Sequence, residues 1–350
     1  MYQKNIKLDF HDLRIKPEII SSISSRTEIN PYYLHKNNSK FLPLFTAPMD
    51  TVISTENAQL FTSNKIHAII PRGEEQSTFG SESMFKSLSL DEFIHEYLST
   101  EPVSTLLKHY ILIDIANGHM KKLVDAAKQA KEKYKESLVL MIGNIANPET
   151  YSIFSSIGVD YCRIGIGNGN ACLTTKQSSV GYPMASLIKE CSDIKIQNGF
   201  STKIVADGGM KDFSDIILAL ALGADYVMVG SLLNKSLESC GDTYVFGNIK
   251  INQYSNFAKW LFKKKFRLTK KFRGMSTKEV QRKWKKKIIK TSEGISKKQS
   301  VEYTLKQWVE NFEDYLRSTM SYSNAKNLEE FIGQAEIIQI SDKAYDRFNK

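Results

Sequence analysis

Eight short apolar segments of strand length alternate with segments of helical periodicity, and this alternation restricts the possible folds more than any other feature of the sequence. The apolar segments cover residues 42–48, 67–71, 84–90, 110–116, 138–145, 161–167, 203–209 and 226–232. Helical periodicity is clearest over 120–134, 148–158 and 212–223. Because strands separated by helices pair in parallel, eight such units predict an α/β fold closed into a (β/α)8 TIM barrel.

The length of 350 residues is compatible with one barrel and its additions, so we expect a single domain over 1–350. After the eighth apolar segment the pattern breaks, and 233–303 contain no clear strand. We expect this stretch to form a long excursion that acts as an active-site flap. Residues 304–350 begin with an amphipathic helical pattern that returns to the barrel wall.

Positive charge is concentrated in one part of this excursion. The chain has a net charge of +10, but residues 259–290 hold 15 Lys or Arg against the single acid Glu279, a local balance of +14 that leaves −4 elsewhere. Such a run can be a solvated surface, an electrostatic guide for a phosphate-bearing ligand, or a nucleic-acid contact. Nucleic-acid binding is the less favoured interpretation, because no recognised nucleic-acid-binding fold accompanies the run.

Composition and the first residues point to a soluble protein of the cytoplasm. Hydrophobic residues make up 41% of the chain, no apolar run is long enough to span a membrane, and the N-terminus lacks the apolar stretch of a signal peptide. The four cysteines are scattered without a CxxC pair, and the six histidines lack metal-ligand spacing. We therefore expect neither a disulfide framework nor a transition-metal site.

A glycine-rich segment over 164–175 is the strongest local signal for chemistry. Glycines at 165, 167 and 169 allow a positive φ and let the backbone approach a ligand or ion closely. Cys172 follows on the same loop, where an exposed thiolate can act as a nucleophile. Ordinary turns also use glycine, so spacing alone leaves both interpretations open.

Glycine pairs also follow the seventh and eighth strands. Barrels often bind phosphate with these two loops, which here contain Gly208, Gly209, Gly230 and Ser231. Asp207 can accept hydrogen bonds from ribose hydroxyls or can cap a helix, and Asp114 after the fourth strand has the same ambiguity.

Eleven ordered stretches together resemble the IMP dehydrogenase and GMP reductase family, and they are nearer to its reductase branch. They include SSRTEI, APMDTV, DIANGH, GNIANPE, GIGNGNACLTT, ADGG, GADYVMVGSLL, RGMS, SEG and RSTMSY. The resemblance implies a (β/α)8 barrel, usually a tetramer, that reduces GMP to IMP and ammonia with NADPH. The alternatives are an IMP dehydrogenase without regulatory modules and an inactive or retuned barrel that carries a basic nucleic-acid-binding segment.

Two absences favour the reductase branch. Dehydrogenases of the family usually insert regulatory modules between the second and fourth strands, but only residues 72–109 lie in that gap. Dehydrogenases also carry an Arg-Tyr pair on the flap, and no such pair occurs between RGMS and SEG.

The resemblance also implies a role for each matching residue. The catalytic residues are Cys172, Thr174 and Glu293. The substrate-binding residues are Asn170, Asp207, Gly208, Gly209, Gly230, Ser231, Arg273, Gly274, Met275, Ser292 and Gly294. The residues that bind NADPH are Ser25, Arg26, Arg72, Asp114, Ile115, Ala116, Ser318 and Ser321, with Ser25 and Arg26 reaching in from a neighbouring subunit. The residues that hold a monovalent cation such as K⁺ are Gly167, Gly169, Cys172 and Thr175.

Overall fold

A computed structural model describes residues 6–35, 38–74, 81–99, 104–284 and 291–348. All eight predicted strands are present in it. They are β1 Leu44–Thr46, β2 Ala68–Ile70, β3 Met84–Leu88, β4 His109–Asp114, β5 Leu138–Ile145, β6 Tyr161–Ile164, β7 Lys203–Asp207 and β8 Tyr226–Val229.

The eight strands form one parallel sheet that closes on itself. Their order is β1-β8-β7-β6-β5-β4-β3-β2. The two ends of the sheet meet where Phe45 of β1 pairs with His67, and the Thr46 N–H donates to the His67 carbonyl at 2.9 Å. The predicted (β/α)8 barrel is confirmed.

Helices follow the strands and pack outside the barrel. The helices are α1 Ala58–Ser63, α2 Leu90–Phe93, α3 Lys121–Tyr134, α4 Pro148–Ile157, α5 Thr174–Ser178, α6 Met184–Asn198, α7 Phe213–Ala221, α8 Ser231–Asn234, α9 Asn256–Lys263, α10 Lys278–Lys283, α11 Leu305–Tyr322, α12 Leu328–Phe331 and α13 Asp342–Phe348. Local signals set their ends. In α4, Asn147 caps the first turn, Pro148 occupies the first helical position, and Gly158 ends the helix in a left-handed conformation.

Large side chains fill the interior of the barrel below its carboxyl end. Phe45, Phe85, Met141 and Tyr226 are buried there and pack together. At the opposite, amino-terminal end of the strands, His67 is buried and its Nε2 lies 3.0 Å from Nε2 of His35. Burial lowers the pKa of His67 to about 3. A packed interior leaves the carboxyl end as the place for a site.

The expectation of no strand in 233–303 is wrong. This stretch contains β9 Thr243–Val245, β10 Ile249–Ile251, β11 Leu268–Arg273 and β12 Ser296–Ser300. They form an antiparallel sheet in the order β10-β9-β11-β12, which we call the lid sheet. The alternation of apolar and polar residues that predicts a strand is interrupted in β11, because the buried position 270 is a lysine. The Lys270 ammonium group donates to the Leu237 carbonyl at 2.7 Å. Residues 285–290 of the basic run lie outside the described residues.

The C-terminal segment is helical only in part. Helix α11 packs against α7 and buries Trp308, Phe312 and Leu316. Further on, strand Ile337–Gln339 pairs antiparallel with Leu13–Ile15 near the N-terminus. Among the described residues, no helix combines the length and the apolar character needed to cross a bilayer.

Candidate active site

A cavity of about 720 Å³ opens at the carboxyl end of the barrel strands. Its walls are the loops that follow β4, β6, β7 and β8, and its cover is the excursion, which contributes residues such as Met275, Trp284 and Glu293. The volume is in the range of small-molecule sites. The barrel and the lid sheet therefore enclose one ligand-sized space.

Cys172, Thr174 and Glu293 form a hydrogen-bonded chain in this cavity. The Cys172 Sγ donates to the Thr174 Oγ1 at 3.3 Å, and the Thr174 hydroxyl donates to the Glu293 Oε2 at 2.7 Å. Each donor points toward the carboxylate. The chain of bonds can therefore carry a proton from sulfur to Glu293.

Backbone pairing fixes Glu293 beside the cysteine, although the two residues are far apart in sequence. The Leu173 N–H donates to the Glu293 carbonyl at 2.7 Å, and the Ile295 N–H donates to the Ala171 carbonyl at 3.0 Å. Gly274 packs between these segments, where a Cβ would stand 2.8 Å from the Ala171 carbonyl oxygen. The lid thus contributes its acid through main-chain contacts with the cysteine loop.

The other cysteines lack the surroundings of a reactive thiol. Burial raises the pKa of Cys162 and of Cys191 well above the ordinary value, and it raises the pKa of Cys240 to about 12. A thiol with a raised pKa is a poor nucleophile because little thiolate forms. Of the four, Cys172 is the one that lines the cavity.

The loop before Cys172 needs glycine at a specific point. Gly167 has a φ of +82°, and a Cβ there would lie 1.7 Å from the Thr175 Oγ1. The Thr175 hydroxyl donates to the Val180 carbonyl at 2.8 Å. Thr175 therefore packs directly on the loop, and this close approach brings oxygen atoms of the kind that hold K⁺ near one another.

The loops after β6, β7 and β8 meet at one side of the cavity. The Asn170 amide donates to the Ser231 hydroxyl at 2.8 Å. Gly208 has a φ of +84°, and a Cβ there would lie 3.1 Å from the Gly169 nitrogen. Small residues with a free backbone thus surround a space in which main-chain N–H groups can bind phosphate.

A buried arginine links two carboxylates on the cavity floor. Arg163 donates to Asp114 at 2.8 Å and to Asp207 at 3.0 Å, and the Asn144 amide also donates to Asp207 at 2.8 Å. Burial alone would lower the pKa of Arg163, but the two carboxylates outweigh it and raise that pKa. Asp207 and Asp114 are therefore held in fixed positions as hydrogen-bond acceptors.

At the cavity mouth, Arg72 joins the barrel to the lid. Its guanidinium carbon lies 3.9 Å from the ring centroid of Trp284, and its Nε lies 3.2 Å from Asp114. Trp284 also contacts the Gly73 position, where a Cβ would lie 3.6 Å from the indole. The aromatic ring thus covers the side of the cavity that Arg72 and Asp114 form.

Most of the predicted site residues line this cavity. They are Cys172, Thr174, Glu293, Asn170, Asp207, Gly208, Gly209, Gly230, Ser231, Gly274, Met275, Arg72, Asp114, Ile115, Ala116, Gly167 and Gly169. The others lie outside the lining. They are Arg273, Ser292, Gly294, Thr175, Ser25, Arg26, Ser318 and Ser321.

The residues outside the lining have other contacts. Arg273 forms an ion pair with Asp50, and the Ser292 hydroxyl donates to the Gly294 carbonyl at 2.7 Å. Ser25 caps the helical turn Arg26–Glu28, which packs near α11. Ser321 donates to the Ser318 carbonyl within α11.

Among the cavity residues that sequence reasoning missed, Arg163 and Trp284 make the contacts described above. Arg163 lies in β6, and its signal was a charged residue inside an otherwise apolar strand. Trp284 was one aromatic residue within the basic run, and nothing local showed that it would face the cavity. Both depend on contacts between segments distant in sequence.

Comparison with known proteins adds an independent finding. A family model described as the IMP dehydrogenase / GMP reductase domain matches residues 100–347. A GMP reductase of Caenorhabditis elegans is 27% identical over 98% of this chain and 94% of its own length. GMP reductase 2 of Homo sapiens is 27% identical over 99% of this chain and 98% of its own. A GMP reductase of Buchnera aphidicola is 28% identical over 99% of this chain and 97% of its own length.

Proposed function

The chain belongs to the IMP dehydrogenase / GMP reductase family, and from that premise we propose that it catalyses the NADPH-dependent reductive deamination of GMP to IMP and ammonia. The observation that carries the proposal is the hydrogen-bonded chain from Cys172 through Thr174 to Glu293. The three relatives named above are GMP reductases, and each matches this chain over nearly its whole length. These matches support the reductase branch of the family.

In the first step, the Cys172 sulfur forms a bond to C2 of guanine while the bond from C2 to the amino nitrogen breaks. The thiol proton passes through Thr174 to Glu293, and Glu293 delivers it to the departing nitrogen, which leaves as ammonia. The product of this step is a thioimidate between Cys172 and the purine. The direction of the two hydrogen bonds supports this path.

In the second step, the C2–S bond breaks. When bound, NADPH would supply the hydride that C2 gains in this step, with NADP⁺ as the oxidised product. The Cys172 sulfur leaves as a thiolate, which takes a proton from solvent, and IMP is released. Atoms and charge balance without a further reactant.

Substrate positioning is assigned to the residues around the cavity. The phosphate would lie at Gly208, Gly209, Gly230 and Ser231, with Asn170 as an added donor, since small residues leave main-chain N–H groups free. The Asp207 carboxylate would accept hydrogen bonds from the ribose hydroxyls, and Arg163 would hold that carboxylate in place. Gly274 and Met275 would contact the purine.

The finer assignments follow the family resemblance. NADPH would contact Arg72, Asp114, Ile115 and Ala116 at the cavity mouth. Ser318 and Ser321 would also contact the cofactor, and Ser25 and Arg26 would reach it from a neighbouring subunit of a homotetramer. The carbonyls of Gly167, Gly169 and Cys172, with Thr175 packed on the loop, would hold a K⁺ ion that shapes the cysteine loop. A cytoplasmic location stays a prediction.

Purified protein mixed with GMP and NADPH or NADH, with nicotinamide absorbance followed, tests the activity directly. We expect oxidation of NADPH and formation of ammonia. Reaction only of IMP with an oxidised cofactor would assign the chain to the dehydrogenase branch. No turnover in either direction would overturn the proposal.

Cysteine variants test the covalent step. Cys172→Ala should abolish turnover and keep GMP binding, because the ribose contact and most of the phosphate contacts lie on the loops after β7 and β8. Cys162→Ala is the matched control, since Cys162 is buried within β6 and is no part of the cavity. Near-normal turnover of Cys172→Ala would rule out the thioimidate route.

A further inference from the structure

We propose that the outer face of the lid sheet carries a second ligand site, separate from the barrel cavity, that binds a phosphorylated nucleoside. The site is a depression of about 590 Å³ whose lining contains no carboxylate. Its lining residues are Phe246, Gly247, Arg267, Thr269, Lys298, Gln299 and Ser300. An aromatic ring, two cations and several hydroxyl or amide groups are the chemistry that a base, a phosphate and a ribose require.

Strand register brings most of these residues to one face, whereas Gln299 pairs with buried Lys270 and lies on the other face. Thr269 pairs with Ser300 across β11 and β12, and Val245 pairs with Leu268 across β9 and β11. Phe246 follows Val245 and Arg267 precedes Leu268, so Phe246 and Arg267 are neighbours across the two strands. Because side chains alternate along a strand, Arg267 and Thr269 share the face opposite buried Leu268.

Phe246 is held in an unusual way. It lies at the tip of the hairpin between β9 and β10 with a φ of +48°, and 68% of its side chain area is exposed. A left-handed conformation is unfavourable for a bulky residue, and Asn or Gly is the usual choice at such a tip. An exposed ring on a strained backbone is therefore an indication of function rather than of stability.

The two cations are available for an anion. Within the described part of the chain, Arg267 makes no ion pair, and Lys298 donates only to uncharged acceptors, the Gly247 carbonyl at 2.8 Å and the Asn248 amide oxygen at 2.9 Å. The local excess of positive charge in 259–290 adds a favourable potential for a phosphate.

An unsatisfied hydroxyl points to a polar ligand. The Thr269 Oγ1 is buried and has no hydrogen-bond partner among the described residues. A buried polar atom without a partner is unfavourable, and a ligand atom that displaces the groups covering this oxygen would supply the missing bond. A lipid tail offers no such atom, whereas a ribose or phosphate oxygen does.

This site is distinct from the barrel cavity. The two linings share no residue. Thr269 and Gly274 stand five residues apart along β11 and its continuation, which is roughly 15 Å in extended backbone. A ligand in the depression therefore does not occupy the place assigned to GMP.

Equilibrium dialysis of labelled ATP against the full chain tests the proposal. We expect ATP to bind, and the part of the binding that depends on Arg267 and Lys298 assigns that ATP to the depression. The double variant Arg267→Ala/Lys298→Ala should weaken binding by roughly tenfold or more, since both charge-assisted contacts are lost. The measurement needs no turnover, so its failure is distinguishable from failure of the proposed reaction.

A matched control removes the same charge from the same segment. Lys263→Ala/Lys264→Ala changes two exposed lysines outside the lining and should leave ATP affinity within about threefold, because only long-range attraction is reduced. An equal loss in both double variants would mean general electrostatic attraction and would overturn the site. Absence of ATP binding to the parent chain would also overturn it.

A third variant tests whether a base is recognised. Phe246→Asn removes the ring and introduces a residue that accepts a left-handed backbone, so the hairpin should fold at least as well. It should weaken ATP binding and leave inorganic triphosphate binding unchanged. If Phe246→Asn changes the affinity for ATP and for inorganic triphosphate equally, the site binds phosphate alone, and the proposal that it recognises a nucleoside is refuted. Tighter binding of a short oligothymidylate than of ATP, with the same dependence on Arg267, would assign the face to single-stranded nucleic acid instead.

Discussion

The replacement Thr174→Val is the sharpest test of the proposed reaction. Valine keeps nearly the same volume and removes the hydroxyl that joins the thiol to the carboxylate. In the structure that hydroxyl lies 3.3 Å from the Cys172 Sγ and 2.7 Å from the Glu293 Oε2. With valine in place, no direct path for the thiol proton is left.

The expected loss falls on turnover and not on folding or binding. A positioned general acid-base group contributes about 10²- to 10⁴-fold to rate, which is about 3 to 5 kcal/mol of transition-state stabilisation. Thr174 is half-buried in the cavity wall on the short helix α5 and packs against no buried core residue of that helix, so the free energy of unfolding should change by less than about 0.5 kcal/mol. KM for GMP should stay nearly unchanged, because the phosphate and ribose contacts are intact.

The assay compares kcat and KM of the parent chain with three variants. Thr174→Ser restores a hydroxyl and should recover most of the lost kcat. Ser178→Ala is the control for a lost hydroxyl on the same helix, since the Ser178 hydroxyl donates only to the Thr174 carbonyl, at 2.7 Å. Denaturant unfolding of each variant checks that the fold is retained.

Retention of about half of the parent kcat by Thr174→Val would refute the relay. An equally large loss in Ser178→Ala would show that helix α5, and not the hydroxyl, is responsible. A rise in KM without a fall in kcat would move Thr174 from proton transfer to substrate binding.

Four further outcomes are expected. Glu293→Gln should slow ammonia release by roughly 10²-fold in single-turnover measurements, and a normal rate would remove Glu293 from the reaction. Arg163→Met should lower the free energy of unfolding by about 3 to 5 kcal/mol in denaturant titrations, because two partly buried carboxylates lose their partner, while Arg163→Lys should lose less. Trp284→Ala should raise KM for NADPH more than KM for GMP in steady-state kinetics, since the indole covers Arg72 at the cavity mouth, and equal rises would contradict this placement. His67 has its pKa lowered by burial to about 3, so the folded state resists protonation that the unfolded state accepts below about pH 6.5. The contribution of neutral His67 to the free energy of unfolding should therefore be fully present above pH 6.5 and should decrease as the pH falls. We expect the free energy of unfolding to be about 2 kcal/mol lower at pH 5 than at pH 8. The same pH dependence in His67→Gln would show that other groups are responsible.

The position of the lid sheet connects the proposed activity with the proposed second site. Strand β12 begins at Ser296, directly after the segment that holds Glu293, and β11 ends at Arg273, directly before Gly274. The far ends of the same two strands form the depression at Thr269 and Ser300. Any ligand in that depression would bind to the strands that position the acid.

The barrel and the cysteine loop were predictable from the sequence because their signals are local. Each barrel strand is a short apolar run followed by a helical pattern, and buried parallel strands need little else to be recognised. The glycines before Cys172 are also a local signal. Glycine is favoured at position 167 because the backbone there has a φ of +82° and leaves no space for a Cβ. The closure of eight βα units into a barrel was predicted from these patterns.

Tertiary structure decided what depends on contacts between distant segments. The lid sheet escaped prediction because its buried lysine reads as polar, and only the surrounding carbonyl groups at Leu237 and Ser239 make that position tolerable. Arg163 acquires its role from Asp114 and Asp207, which lie on other strands. Glu293 reaches Thr174 although the two residues are separated by 119 positions in the sequence, because backbone pairing with the cysteine loop holds it there. Periodicity and turn chemistry act over a few residues, whereas ion pairs and lid contacts depend on which loops the closed barrel brings together.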